Sequence, residues 1–384
     1  MEIVARGTVV VGKEGTERQS CAFPQVCVLP SGRWICGFRA APLKAVMEGQ
    51  RSLLAHSDDE GRSWSEPVEP FIPIPVDGMP GLFRAAAVTS LGGRNVLATL
   101  YWVDCSNPSL PFFNEETEGL LDSRIFLAWS RDDGDTWTQP ERIDTAPFDC
   151  PIAITGPVLV LANGDLACQF ELNKPYDDTT PWRHASVLMF SKDSGKSWGE
   201  CVMTSGDPEN RIFYWDQRPN VLPNGRILDL FWTFDRQQAI YCDIHARQSD
   251  DHGRTWSEMW DTGIPGQPAR PVPLADGTLG MVYVDRTASP LIKMRASADG
   301  GRTWPDRSEI VIDQPPMASQ TWEKRSMQDA WAEMEKFSIG LPATTTAQNG
   351  DVLAVYYSGP STDQTDIKWV RIRAVQREKK NGSS

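Results

Sequence analysis

Short apolar runs recur along the chain in pairs, and a glycine-bearing turn separates the members of each pair. FPQVCVL leads through PSG into RWICGF, and RPNVL leads through PNG into RILDLFW. The same alternation surrounds LGG at 91–93, ANG at 162–164, ADG at 275–277 and QNG at 348–350. Runs this short, rich in β-branched and aromatic residues and broken by Asn-Gly or Asp-Gly, predict β-hairpins. A third apolar run follows each pair after a polar loop, as in RSLLAH, RIFLAW, ASVLMF, YCDIHAR and IKMRA.

Each third run ends in an octapeptide of one design: SDDEGRSW (57–64), SRDDGDTW (130–137), SKDSGKSW (191–198), SDDHGRTW (249–256) and SADGGRTW (297–304). In S-x-D-x-G-x-[ST]-W the Ser and Asp oxygens accept turn amides. The glycine supplies a positive φ, and the tryptophan packs its ring beneath the strands. The repeating unit is strand, glycine turn, strand, loop, strand, Ser/Asp turn, strand. It returns every ~50–70 residues, the length of a four-stranded propeller blade. The sixth unit lacks a fourth strand after DIKWVRIRAV, while EIVARGTVVV at the start is unassigned. The pattern therefore predicts an all-β fold, a six-bladed β-propeller of four-stranded antiparallel blades. Its ring is closed by the N-terminal strand, which removes an exposed edge. Residues 1–376 form the single domain and 377–384 a polar tail.

Composition narrows the partners. A net charge of −13 argues against nucleic acid and anionic membrane. No apolar run is long enough to span a bilayer. The start lacks a basic leader with an apolar stretch, so the expected location is cytoplasmic. The eight cysteines are scattered without CxxC spacing, as expected of reduced thiols. With four histidines dispersed as well, no metal site and no cofactor is expected.

If the Ser/Asp turns tile one face, the variable loops and the starts of the first strands lie on the other, where function concentrates. Charged residues that β-propensity does not favour stand there: Arg84 in GLFRAAAV, Asp216 and Arg218 in YWDQRPNV, and Arg270 in QPARPVPL. Counted back from their glycine turns and alternated with period two, these four share one face of equivalent strands. Arg39 ends the second strand of the first unit. Together the arginines suit an anionic ligand, or pair with neighbouring acids as structural clamps. Strand-end acids Asp104, Glu171, Asp235 and Asp285, with Glu48, are expected at the rim of the same cavity. Trp102, Trp182, Trp215 and Trp232, with Tyr214, supply sugar-stacking faces or core.

The octapeptides resemble the Asp-boxes, or BNR repeats, of the sialidase superfamily, and the resemblance spans essentially the whole chain. It implies a six-bladed propeller with the boxes opposite the catalytic face. It also implies a triad of carboxylate-binding arginines, a tyrosine nucleophile with a glutamate, and an aspartate acid/base. Most of these positions differ here. Ala22 in CAFPQV stands where the first arginine would be, Arg51 for the acid, Leu341 for the tyrosine and Trp232 for the second arginine. Only Asp216 matches, in place of the glutamate. The resemblance thus implies a glycosidase-like enzyme on a sugar or glycan, acidic or neutral, other than a standard sialidase. Asp216, Glu171, Asp285 and Asp104 are its catalytic candidates; Arg84, Arg218, Arg270, Arg39, Trp215 and Tyr214 are its substrate-binding ones. Two alternatives stay open: a propeller that binds carbohydrate or protein without turnover, and a lyase on uronates using Tyr214 or His184 as base.

Overall fold

In the computed structural model, which describes residues 1–315 and 326–374, the apolar runs are strands and the glycine turns reverse the chain between them. The tail expected at 377–384 lies outside the described residues. The fold is all-β and propeller-like, built from antiparallel meanders. Gly81–Gly92, Asn95–Asp104, Ser123–Ser130 and Glu141–Arg142 make one sheet. The next three begin with inner strands broken in two: Ile152–Ile154 and Leu159–Val160, Ile212–Trp215 and Asn220–Val221, Gln267–Pro268 and Val272–Pro273. Ser20–Val28, Trp34–Ala41 and Arg51–Ser57 form a further meander. It touches Gln364–Arg373 through one parallel pair, Ser20 with Thr365.

The sheet of Ile339–Thr346, Val352–Ser361 and Gln364–Arg373 takes its fourth strand from the other end of the chain. Glu2–Val10 runs antiparallel to Gln364–Arg373, from Glu2 opposite Arg373 to Val10 opposite Ile367.

Proline explains the broken inner strands. Pro157, Pro219 and Pro271 fall in the gaps, where a residue without an amide donor cannot continue a ladder. Phe23-Pro24 and Leu341-Pro342 produce register shifts at equivalent places, and Arg84 stands at a third. Second strands have apolar partners on both faces; every residue of Ile227–Asp235 is buried. The core lies between neighbouring sheets: Cys27, Ile35 and Leu54 pack against Ala86, Val88 and Leu100, and Leu97 and Leu127 against Val158, Cys168 and Val187. Each such Leu or Val is worth roughly 1.5–3 kcal/mol on burial.

All five Ser/Asp turns have one geometry. Asp59, Asp132, Asp193, Asp251 and Asp299 accept the hydroxyl of the serine two residues back at 2.7–2.9 Å. Each also accepts the amide and hydroxyl of the Ser or Thr four residues on. The turn glycine donates its amide back to the serine at 2.8–2.9 Å. Four tryptophans, Trp137, Trp198, Trp256 and Trp304, donate their indole N–H to the glycine carbonyl. Trp64 does not, and its buried Nε1 has no partner. Arg33 and Arg226, in the glycine turns, bond Asp58 and Asp250 in the Ser/Asp turns at 2.7 Å, so both kinds of turn lie at the same end of the sheets. The eight cysteines are free, and no described helix is long and apolar enough to cross a membrane.

Candidate functional site

At the other end of the sheets lies a cavity of about 290 Å³, lined by inner-strand residues from every sheet and by loops between second and third strands. The proline breaks aim residues into it. Phe23, Gly156, Arg218 and Leu341 each precede a proline and line the cavity, as does Arg84 at its register shift. The residue before proline is held out of the helical region, and the local bulge turns its side chain off the sheet face. Asp216 reaches the cavity differently, through a left-handed backbone (φ 51°) just after Trp215.

Two carboxylates meet here. Glu171, on Leu166–Leu172, is 7% exposed, and its Oε1 accepts the backbone N–H of Asp216. Asp216 Oδ2 accepts Gln267 Nε2 at 2.5 Å, and its Oδ1 lies 3.3 Å from Arg218 Nη2. Arg218 also donates to the Thr155 carbonyl. His184 places Nε2 3.5 Å from Glu171 Oε2. Gln267 continues the network by accepting Arg286 Nη1 at 3.0 Å, and Arg286 Nη2 donates to the Ile339 carbonyl at 2.9 Å. Burial pushes the Arg286 guanidinium down. It pushes the Tyr357 phenol up, against the opposing charges of Arg286 and Arg39. Lys44 Nζ donates to the carbonyls of Met334 (2.9 Å) and Phe337 (2.5 Å), beside the C-terminus of the helix Met327–Glu335.

One wall is aromatic. Trp182, Trp215 and Trp232 line it, backed by Phe213, Phe234 and Tyr241. Trp215 stacks on Phe234 at 4.9 Å and Trp232 on Tyr241 at 4.8 Å. Phe112 and Phe113 face the cavity from the long loop after Asn95–Asp104, and Arg84 lies 4.3 Å over the Phe112 ring. Four cations line the space, Lys44, Arg84, Arg218 and Arg286, against the carboxylates Glu171 and Asp216. This local excess of positive charge sits inside a strongly acidic protein.

The structure thus brings together Glu171, Asp216, Arg84, Arg218 and Trp215. It corrects the expectation for the other candidates. Asp104 folds back onto the amide and hydroxyl of Ser106. Asp285 turns away to Thr287 and to Lys293 Nζ at 3.0 Å; burial raises its carboxyl, but these partners hold it below the usual range. Asp235 pairs with Arg211, and Glu48 is exposed, so the rim carries one strand-end acid of the four expected. Tyr214 alternates away from the cavity and packs on Phe231 and His245, which removes it as a lyase base. Trp102 is core, with its N–H on the Ile74 carbonyl.

Arg270 borders a separate void of about 10 Å³, which shares Gln25, Thr155, Gly156 and Arg218 with the cavity lining, and bonds the Thr344 carbonyl at 2.6 Å. The break at Pro271 ends the alternation that was to align it with Arg84 and Asp216. Arg39 is fully buried and does not reach the cavity. Of the positions where the family's catalytic residues would fall, Ala22 is buried and Arg51 is exposed, paired with Glu17 at 2.9 Å. Leu341 and Trp232 line the cavity.

Tyr357, Arg286, Gln267, Lys44, Phe23 and the short helix escaped the reading of the sequence. A usable signal existed for Phe23: the X-Pro step recurs in five inner strands, at Pro24, Pro157, Pro219, Pro271 and Pro342.

Residues 106–353 match the family model described as a BNR repeat-like domain. No curated protein matches the chain in sequence. Among solved structures, a protein of unknown function from Dyadobacter fermentans DSM 18053 superimposes with a TM-score of 0.70 at 19% identity, over 97% of this chain and 99% of that one. The Hadza microbial sialidase Hz136 does so with a TM-score of 0.63 at 17% identity, over 93% and 66% of the two chains. The intramolecular trans-sialidase from Ruminococcus gnavus, in complex with oseltamivir carboxylate, gives 0.62 at 13% identity, over 96% and 98%. Identities this low carry the fold and not the chemistry. By its sequence match the chain belongs to the BNR repeat-like domain family, and its fold is shared with the sialidases it superimposes on.

Proposed function

We propose that this chain is a six-bladed propeller enzyme that acts on a glycosidic bond of an acidic sugar. The seven-stranded path divides at its single parallel pair into two blades, with Glu2–Val10 closing the ring. The observation that carries the catalytic reading is the pairing of Glu171 with Asp216 at one cavity, facing a wall of three tryptophans. Bond cleavage at an anomeric carbon builds positive charge on the ring and negative charge on the leaving oxygen. Asp216, fixed by Gln267 and Arg218, is the standing negative charge for the ring. Glu171, with His184 behind it, is the group that exchanges a proton with the leaving oxygen. The tryptophan faces take the apolar side of the sugar, and the cation excess takes its anionic substituent. Cleavage by the standard tyrosine route is not proposed, because Leu341 stands at the nucleophile's place.

The test is a panel of aryl glycosides that includes uronides and sialosides, run with the parent, Glu171→Gln and Asp216→Asn. Turnover lost in both variants supports the assignment. Turnover that survives both overturns it. A second reading, sugar binding without turnover, draws on the occupation of both Asp216 oxygens by Gln267 and Arg218. Calorimetric binding of a sugar that no preparation cleaves would select it.

A further inference from the structure

Arg39, on Trp34–Ala41, is fully buried, and none of its three guanidinium nitrogens has a hydrogen-bond partner. Burial, reinforced by the charge of Arg84, pushes it down to about 9. A desolvated cation without an acceptor is among the least favourable arrangements a core can hold, and in native proteins it marks a missing ligand or water. Its neighbour toward the cavity is Phe23, whose ring centre is 4.8 Å from the Arg39 guanidinium carbon and 5.4 Å from that of Arg84. The ring also meets Tyr357 edge-on at 6.4 Å. Phe23 lines the cavity, and Arg39 does not.

Phe23 is itself strained. Its φ is 54°, at the register shift between Ala22 and Gln25 and directly before Pro24. A bulky side chain in the left-handed region is a costly conformation that persists where something else requires it. A strained residue and an unpaired cation are therefore in contact at the cavity wall.

We infer that Phe23 is a gate over a buried oxyanion site: when its ring swings aside, Arg39 joins Arg84 to grip a carboxylate or sulfate group of the ligand. In the closed form Arg39 is screened by the ring and tolerated through its π face. In the open form the two guanidiniums present parallel N–H donors to one oxyanion. The inference leans on the acidic-sugar reading only for which molecule carries the oxyanion.

The test needs no sugar. Parent, Phe23→Ala, Arg39→Met and the double variant are titrated with sodium acetate and with sodium sulfate at constant ionic strength, followed by calorimetry and the unfolding midpoint. Phe23→Ala is expected to bind at least one of the two anions about 10-fold more tightly than the parent, and the double variant to lose that gain. Whichever anion responds tells carboxylate from sulfate. Arg39→Met alone is expected to raise the anion-free midpoint, since it removes a buried unpaired charge. The inference is overturned if Phe23→Ala gains nothing, if the double variant keeps the gain, or if Arg39→Met lowers the midpoint, as it would were Arg39 anchored by an internal water. If Phe23→Ala does not fold, Phe23→Leu carries the same comparison. Failure to cleave any glycoside would leave these results untouched.

Discussion

At one end of the sheets, five aspartates each collect a serine hydroxyl, a turn amide and a further hydroxyl, in five copies that differ by about 0.2 Å. At the other end Arg39 has no acceptor, and the cations lining the cavity outnumber the acids they face. Strand pairing is the same at both ends, so the contrast comes from the connections. Short turns repeat one hydrogen-bonded solution, whereas the proline-broken inner strands and long loops leave polar groups aimed at a shared space. Satisfied groups rigidify; unsatisfied ones are a reserve that a ligand can draw on.

The sharpest break of this comparison is at the cavity. Glu171→Gln is expected to lower turnover of any cleaved glycoside by at least ~10²-fold while leaving thermal unfolding close to that of the parent. A stability loss that matched the activity loss would make Glu171 another clasp. In the Ser/Asp turns the expectation reverses. Asp251→Ala removes acceptors for Ser249, Arg254 and Thr255 and should destabilise by ~1–2 kcal/mol in a denaturant titration, with activity per folded molecule unchanged.

Acid titration provides a smaller effect of the same origin. The hydroxyls and amides of Ser63, Thr136 and Ser197 hold Asp59, Asp132 and Asp193 down to about 2. An unfolded chain, with aspartates near ~3.9, takes up protons first as pH falls. Stability from these groups is therefore complete above pH ~4 and is lost toward pH 2. Asparagine at all three positions should flatten the midpoint-against-pH curve in that window. Smallest of all is the difference between two tryptophans. Trp256→Phe loses an indole bond to the Gly253 carbonyl and should cost ~1 kcal/mol, while Trp64→Phe removes an unpaired N–H and should fall within ~0.5 kcal/mol of the parent.

The same contrast governs what the chain discloses before it is folded. The Ser/Asp turns are local: residues two and four apart in sequence make the bonds, so the octapeptide is its own description. The role of Glu2–Val10 followed from arithmetic, because the last unit lacked one strand. Asp216, Arg84 and Arg218 were legible as charges on inner strands. Glu171 could be read as a strand-end acid, yet Asp104 and Asp285 carry the same signature and point elsewhere. In a strand one residue's shift changes the face. VYVDRT offered both Asp285 and Arg286, and the structure uses the second. Tyr357 and Gln267 gave no sign, because what singles them out is contact with groups from 71 and 51 residues away, Arg286 and Asp216. Lys44 meets its acceptors across most of the chain's length.

The pairing of Glu2–Val10 with Gln364–Arg373 bears on how the molecule is made. During synthesis Glu2–Val10 has no partner until all the strands between it and Gln364–Arg373 have been made. Until then it is an unpaired ribbon, and the last three strands, when they arrive, would offer a raw border to any neighbouring nascent chain. Completion of that sheet is thereby postponed until Gln364–Arg373 is made, and a cell that slows translation or crowds its polysomes should see this protein aggregate before it sees it misfold.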